Sequence, residues 1–187
     1  THMLTASDIV YRNQRAFVKA IICVNDEYVT TQVREAMSES PTVEVLVAVN
    51  SLAQKGCPVA EGFHDWFAEW EKVPAFVRPE EVNVNEDTML MYFTSGTSGE
   101  PKMVAHDHLY ALGHLVTGVF WHNLDEDSIH LTVADTGWGK AVWGKLYGQW
   151  FAGATVFVYD HEKFSAEKIM RMMEKYRVTS FCAPPTI

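Results

Sequence analysis

Short apolar runs recur along the chain, separated by segments of a different period. The runs are Val18–Val24, Val43–Val49, Met89–Phe93, Ile129–Ala134, Ala154–Tyr159 and Val178–Ala183. Most are near-continuous Val, Ile and Phe rather than an alternation of apolar and polar residues, the pattern of strands covered on both faces. Between them, Leu109, Leu112, Val116 and Val119 keep helical spacing, as do Ile169, Met172, Met173 and Tyr176, with Ser165 placed to cap the second helix. Strand and helix in repeated succession predict an α/β fold, a mostly parallel sheet flanked by helices on both faces. With 187 residues, the reading is a single α/β subdomain over 1–187.

Residues 50–88 interrupt that rhythm. Gly56, Pro58, Gly62, Pro74 and Pro79 punctuate them, and an acidic stretch from Glu80 to Asp87 closes them, so they read as an irregular connecting segment. Inside lie Phe63, Trp66, Phe67 and Trp70, an apolar stripe at helical spacing. It predicts a short amphipathic helix docked over the sheet, with a partner-binding helix as the alternative.

Composition narrows the function classes. The chain is 48% apolar and 21% charged, which a disordered chain is not. Lys and Arg number 15 against 24 Asp and Glu, a net charge of −9 with no basic cluster. That argues against nucleic acid or an anionic membrane as the main partner. No apolar run reaches the ~20 residues that span a bilayer. Cys23, Cys57 and Cys182 are few, odd in number and widely spaced, with no C-x-x-C for zinc or redox chemistry. A reducing compartment follows, and the cytoplasm is the expected location.

The chemistry concentrates in one loop. Directly after the strand ending at Phe93 come Thr94, Ser95, Gly96, Thr97, Ser98, Gly99, Glu100, Pro101 and Lys102, and then helical periodicity. Two glycines let the backbone turn N–H groups toward one point, and hydroxyls add donors. Lys102 adds a positive charge, and a helix starting behind the loop would add its N-terminal dipole. Together these features suit a polyphosphate. The spacing is neither G-x-x-x-x-G-K-[ST] nor G-x-G-x-x-G.

The loop resembles the signature of the AMP-forming acyl-CoA synthetases of the adenylate-forming superfamily, an aromatic residue followed by T-S-G-T-T-G-x-P-K. Phe93 leads here, and Ser98 stands for one Thr while keeping its hydroxyl. The segment Leu4–Arg12 with Lys19–Ile22 is similar to the early part of medium-chain acyl-CoA synthetases. Ala134–Lys140 is similar to the segment that opens their acyl pocket, and Phe181–Thr186 to the strand end after it.

The resemblance implies an enzyme that activates a carboxylic (fatty) acid with ATP to an acyl-adenylate and transfers the acyl group to coenzyme A, with Mg2+ assisting. It implies that Thr94, Ser95, Gly96, Thr97, Ser98, Gly99 and Lys102 hold the ATP phosphates, and that Trp138 and Gly139 border the acyl chain. Acetate-using relatives carry Trp-Val-Thr where this chain has Trp138-Gly139-Lys140, so an acid longer than acetate is expected. Packing is the alternative role for Trp138 and Trp143. The family's ribose motif and late catalytic lysine have no counterpart among these residues. The chain therefore reads as a fragment of the large N-terminal domain, inactive by itself, whose exposed sheet edges favour self-association.

Two other readings stand beside this one. Thr94-Ser95-Gly96-Thr97 also resembles a flavin phosphate loop, although such a loop normally follows the first strand. A non-catalytic scaffold with the synthetase fold is the other. His106-Asp107-His108 has the look of a metal pair, but Asp107 suits the N-cap or first turn of a helix better. His114, His122, His130 and His161 form no constellation along the sequence.

Overall fold

The computed structural model describes residues 2–94, 99–135, 137–159, 161 and 163–185. They fall into two compact units, one comprising His2–Val82 and Met91–Val104, the other Asn83–Leu90 and Ala105–Ile187.

The first unit opens with helix α1 (Ala6–Ala16), which starts where a capping box tells it to. The Thr5 hydroxyl accepts the Asp8 N–H at 3.3 Å, and the Asp8 carboxylate accepts the Thr5 N–H at 3.1 Å. Bonds from Thr5 and the charge of Arg12 hold the Asp8 carboxyl below its ordinary range. The helix ends at Phe17, whose φ of 51° is left-handed. Strand β1 (Ala20–Val24) follows, then α2 (Glu27–Ala36), whose N-cap Asp26 accepts the Val29 N–H at 3.1 Å. Strand β2 (Val45–Val49) lies parallel to β1, in register from Ala20 opposite Val45 to Val24 opposite Val49. Val33, Ala36 and Ala48 form the buried centre of this unit.

A third strand, β3 (His64–Asp65), pairs parallel with β2 and completes the order β1-β2-β3. It shortens the aromatic helix expected from the sequence. Helix α3 runs only over Trp66–Trp70, because Asp65 caps it with bonds from the Phe67 and Ala68 N–H groups. Phe63 therefore precedes the helix. None of the residues of α3 is fully buried, and Trp66 and Trp70 stack on each other at 5.9 Å.

Strands β4 (Thr88–Thr94) and β5 (Lys102–Asp107) form a two-stranded sheet. β5 was not legible in the sequence, and its presence corrects the expectation of a helix behind the loop: the chain continues as a strand because Lys102–Asp107 pairs back on β4.

The second unit holds α4 (Leu109–Val116), continued by a π-helical turn over Thr117–Trp121. After it come β6 (Ile129–Thr132), α5 (Gly139–Val142), a second π-helical turn over Trp143–Tyr147, and α6 (Gly148–Phe151). β7 (Thr155–Val156), α7 (Ala166–Tyr176) and β8 (Ser180–Cys182) finish the unit. Its sheet has the order β7-β6-β8, both pairs parallel. Ser165 caps α7 as the sequence indicates, accepting the Lys168 N–H at 3.4 Å, and Ile169 is buried beneath it.

The α/β class with parallel strands holds, with the strands shared among two three-stranded parallel sheets and the β4–β5 pair. Helix α4 differs from its pattern. Leu109, Leu112 and Val116 are exposed, and the buried residue on this stretch is Gly118. A Cβ built on Gly118 would strike the Gly148 backbone, and one on Gly148 would lie 2.7 Å from the His114 carbonyl oxygen. The helices touch through backbone, so the apolar stripe is not what packs.

Candidate functional site

The described flanks of the hydroxyl-rich loop belong to the first unit. Thr94 ends β4 and Lys102 begins β5, and the Thr94 hydroxyl donates to the Lys102 carbonyl oxygen at 3.4 Å. The two residues thus close the base of a loop. Gly99 has a φ of 91°, a left-handed conformation that glycine adopts without strain, and no atom of the described residues beyond its chain neighbours lies within 4 Å of where its Cβ would be. Ser95, Gly96, Thr97 and Ser98 lie outside the described residues. Lys102 opens a strand and the next described helix begins only at Leu109, so the helix expected directly behind the loop, with its N-terminal dipole, is replaced there by β5. The positive charge there comes from the Lys102 side chain.

Sequence reasoning missed what braces these flanks. The Tyr11 hydroxyl donates to the Pro101 carbonyl oxygen at 2.8 Å, and its ring meets Phe93 edge-on at 6.1 Å. The neighbouring Arg12 places its guanidinium 5.4 Å from the centre of the Phe93 ring. The only signal available was the position of Tyr11 and Arg12 within a segment already similar to the synthetases.

Trp138 and Gly139 belong to the second unit, beyond β6. Asp135 shapes this turn: its carboxylate accepts the Gly137 N–H at 2.7 Å, and its carbonyl accepts the Trp138 N–H at 3.1 Å. Gly139 is the first residue of α5. Trp138 is 67% exposed, so it fills no core and presents a large apolar surface next to that glycine. Lys145, on the following π-helical turn, is half-buried; burial pulls its pKa down, opposed by the charge of Asp135.

Behind this turn lies a buried polar cluster that the histidine spacing did not reveal. His130, on β6, is fully buried. Its Nδ1 is 2.8 Å from the Ser180 hydroxyl, and its Nε2 is 2.7 Å from the Thr132 hydroxyl and 3.1 Å from the Gly144 carbonyl oxygen. That carbonyl also accepts from Thr132 and, at 2.7 Å, from Gln149 Nε2. The His122 ring lies 4.6 Å from that of His130. Burial, helped by His122, lowers the His130 pKa to about 4, so the ring is neutral at physiological pH. A carbonyl can only accept, which puts the proton on Nε2 and makes Nδ1 the acceptor from Ser180.

Asp107 is the last residue of β5 rather than the N-cap or a first-turn residue of α4, whose N-cap is His108; its carboxylate still accepts the Leu109 N–H at 3.0 Å, and His106 packs on Tyr110 at 4.3 Å. Among the described residues, no three His, Cys, Asp or Glu side chains converge to hold a metal ion. All three cysteines are free thiols. No described helix is long and apolar enough to cross a membrane.

Compared with known proteins, residues 1–187 match the family model described as AMP-binding enzyme. The mitochondrial acyl-coenzyme A synthetase ACSM3 of Homo sapiens is 30% identical over 191 residues, covering 100% of this chain and 30% of its own length. Its Mus musculus relative ACSM5, also mitochondrial, is 33% identical over 98% of this chain and 30% of its own length. Among solved structures, an acyl-CoA synthetase of Brucella canis superposes with a TM-score of 0.77 at 21% identity, over 98% of this chain and 32% of that one. The anthranilate CoA ligase AuaEII, in complex with anthranoyl-AMP, gives 0.79 at 20% identity, over 96% and 33%. The two structures share the fold, and the chain spans about 30% of the length of the curated relatives it matches. Those relatives are mitochondrial, which overturns the cytoplasmic location expected from the cysteines. Reduced thiols mark a reducing environment without distinguishing one such compartment from another.

Proposed function

The chain belongs to the AMP-binding enzyme family, and on that premise we propose that it supplies the phosphate-loop part of a synthetase that activates a carboxylic acid with ATP and passes the acyl group to coenzyme A. The observation that carries the proposal is the match of the whole chain, residues 1–187, to the family, with the signature loop set between the paired strands β4 and β5. In this reading Thr94, Ser95, Gly96, Thr97, Ser98 and Gly99 offer hydroxyl and backbone donors to the ATP phosphates, and Lys102 balances their charge. Attack of a carboxylate on the α phosphorus needs orientation and charge neutralisation more than covalent help, and a loop of fixed donors supplies both. Magnesium enters with the nucleotide, bound mainly through phosphate oxygens and few protein ligands. The Thr94 hydroxyl is an oxygen donor of the class that ion takes.

Trp138 and Gly139 border the acyl chain in the same reading. A glycine where the acetate-using pattern has valine leaves room for further methylenes, each contributing about 0.8 kcal/mol when buried. The acid is therefore longer than acetate. The 187 residues alone do not complete the reaction, and their exposed Trp70, Phe76 and Val77 favour self-association of the isolated chain. Sedimentation of that chain as a strict monomer at high concentration would contradict the last point.

Acid-dependent exchange between ATP and pyrophosphate, run on the complete synthetase with straight-chain acids of increasing length, tests the proposal. Exchange that peaks beyond acetate is the expected result. Absence of exchange with every acid would remove the proposed activity. Tight binding of flavin mononucleotide would favour the flavin alternative in its place.

A further inference from the structure

We infer that Tyr11 is a positioning residue for the phosphate loop, holding Pro101 so that the backbone leading into Lys102 points in one fixed direction; this rests on the reading of that loop as the ATP phosphate site. Proline has no N–H, so the carbonyl is the only backbone hydrogen-bonding group Pro101 possesses. That carbonyl and the Lys102 N–H belong to one planar peptide unit and point to opposite sides of it. Fixing the carbonyl therefore fixes the N–H. The Tyr11 hydroxyl does this with a 2.8 Å bond from a part-buried position ninety residues away in the sequence.

The same turn of α1 also grips the other flank. The Tyr11 ring meets Phe93 edge-on at 6.1 Å, and the Arg12 guanidinium lies 5.4 Å from the centre of that ring. Arg12 is held in turn within its own helix, donating to the Asp8 carbonyl oxygen at 2.8 Å and pairing with the Asp8 carboxylate at 3.4 Å. Adjacent side chains thus reach Phe93, just before Thr94, and Pro101, just before Lys102. A loop that must present several donors to one ligand gains from having both flanks set before the ligand arrives. Neither Tyr11 nor Arg12 touches the substrate in this account; both act through the loop's backbone.

The test uses the complete synthetase and two variants. Tyr11→Phe keeps the ring against Phe93 and deletes the bond to Pro101; Tyr11→Leu deletes both. The expected result is a rise of about fivefold in KM for ATP in the first variant, and a larger rise in the second. KM for the carboxylic acid stays at the wild-type value, and the melting temperature of Tyr11→Phe falls by no more than the few degrees that one lost hydrogen bond costs, a split that general loosening of the fold would not produce. Amide exchange at Lys102 and Met103 quickens in both variants. An unchanged KM for ATP in Tyr11→Phe, or equal rises in both KM values, overturns the inference. Should the wild-type enzyme show no ATP-dependent activity, the phosphate-site reading fails separately. Exchange at Lys102 then decides: quicker exchange in Tyr11→Phe keeps the positioning role, and unchanged exchange ends it.

Discussion

His130 and Ser180 face each other across the parallel pair β6–β8, with the imidazole Nδ1 2.8 Å from the serine hydroxyl. The ring is buried and neutral, with a pKa lowered to about 4 from an ordinary 6.5. Well above pH 6.5 the folded and unfolded chains both hold it neutral, and it contributes no pH dependence. Between pH 6.5 and about 4 the unfolded chain takes up a proton that the folded chain refuses, so stability falls as the solution is acidified. The full loss is about 3 kcal/mol. Denaturant titrations at pH 7 and pH 4.5 measure it. His130→Gln should reduce the acid sensitivity over that window, whereas the same slope in the variant would show that other groups carry it.

The approach of Gly118 to Gly148 gives a second expectation. Gly118→Ala forces a methyl group into the Gly148 backbone, and overpacking of this kind costs roughly 1–3 kcal/mol. For Gly113, on the same helical stretch, the described residues place nothing within 4 Å of its missing Cβ beyond its own helix backbone. Gly113→Ala should therefore stabilise by up to about 1 kcal/mol, the helix propensity difference. Opposite shifts in melting temperature confirm the close approach, and shifts of the same sign contradict it.

These two sites also show where sequence reading stopped. The runs that became β1, β2, β4, β6, β7 and β8 were legible because short runs of Val, Ile and Phe favour strands, although β6 alone of these is largely buried and β1 alternates exposed with half-buried residues. Helix α7 was legible from Ser165 and the spacing of Ile169 and Met173. Strands β3 and β5 were not, because His64–Asp65 is too short to carry a pattern and Lys102–Asp107 mixes charge with apolar residues. Helix α4 misled, since Leu109, Leu112 and Val116 promise a buried face while the contact is made by glycine backbone. At the candidate site the loop and Lys102 could be read from residue types. Tyr11 could not, because its bond to Pro101 spans ninety residues and no local pattern around either residue announces it. The buried cluster of His130, Thr132, Gly144 and Gln149 was hidden for the same reason.

The acyl pocket has its own test. In the complete synthetase, Gly139→Val restores the side chain of the acetate-using pattern beside Trp138. The optimum should move to shorter acids, with kcat/KM for the longest good substrate falling about fourfold for each methylene displaced. An unchanged chain-length profile would remove Gly139 from the pocket.

Lys102 is the described cation of the loop. Lys102→Ala should raise KM for ATP by tenfold or more, since a hydrogen bond to a charged group contributes about 1.5–3 kcal/mol. The melting temperature should hardly move, because the side chain is exposed. Steady-state kinetics with ATP varied at saturating acid measures the effect, and a KM within twofold of wild type would place the phosphates elsewhere.

The central claim is that this loop serves attack on the α phosphorus of ATP. Incubating the complete synthetase with ATP labelled at the α phosphate, a medium-chain acid and coenzyme A, and separating the labelled products, tests it most directly. The account predicts AMP as the labelled product in amounts equal to the acyl-coenzyme A formed. ADP as the labelled product would mean attack at the terminal phosphate and would contradict the account.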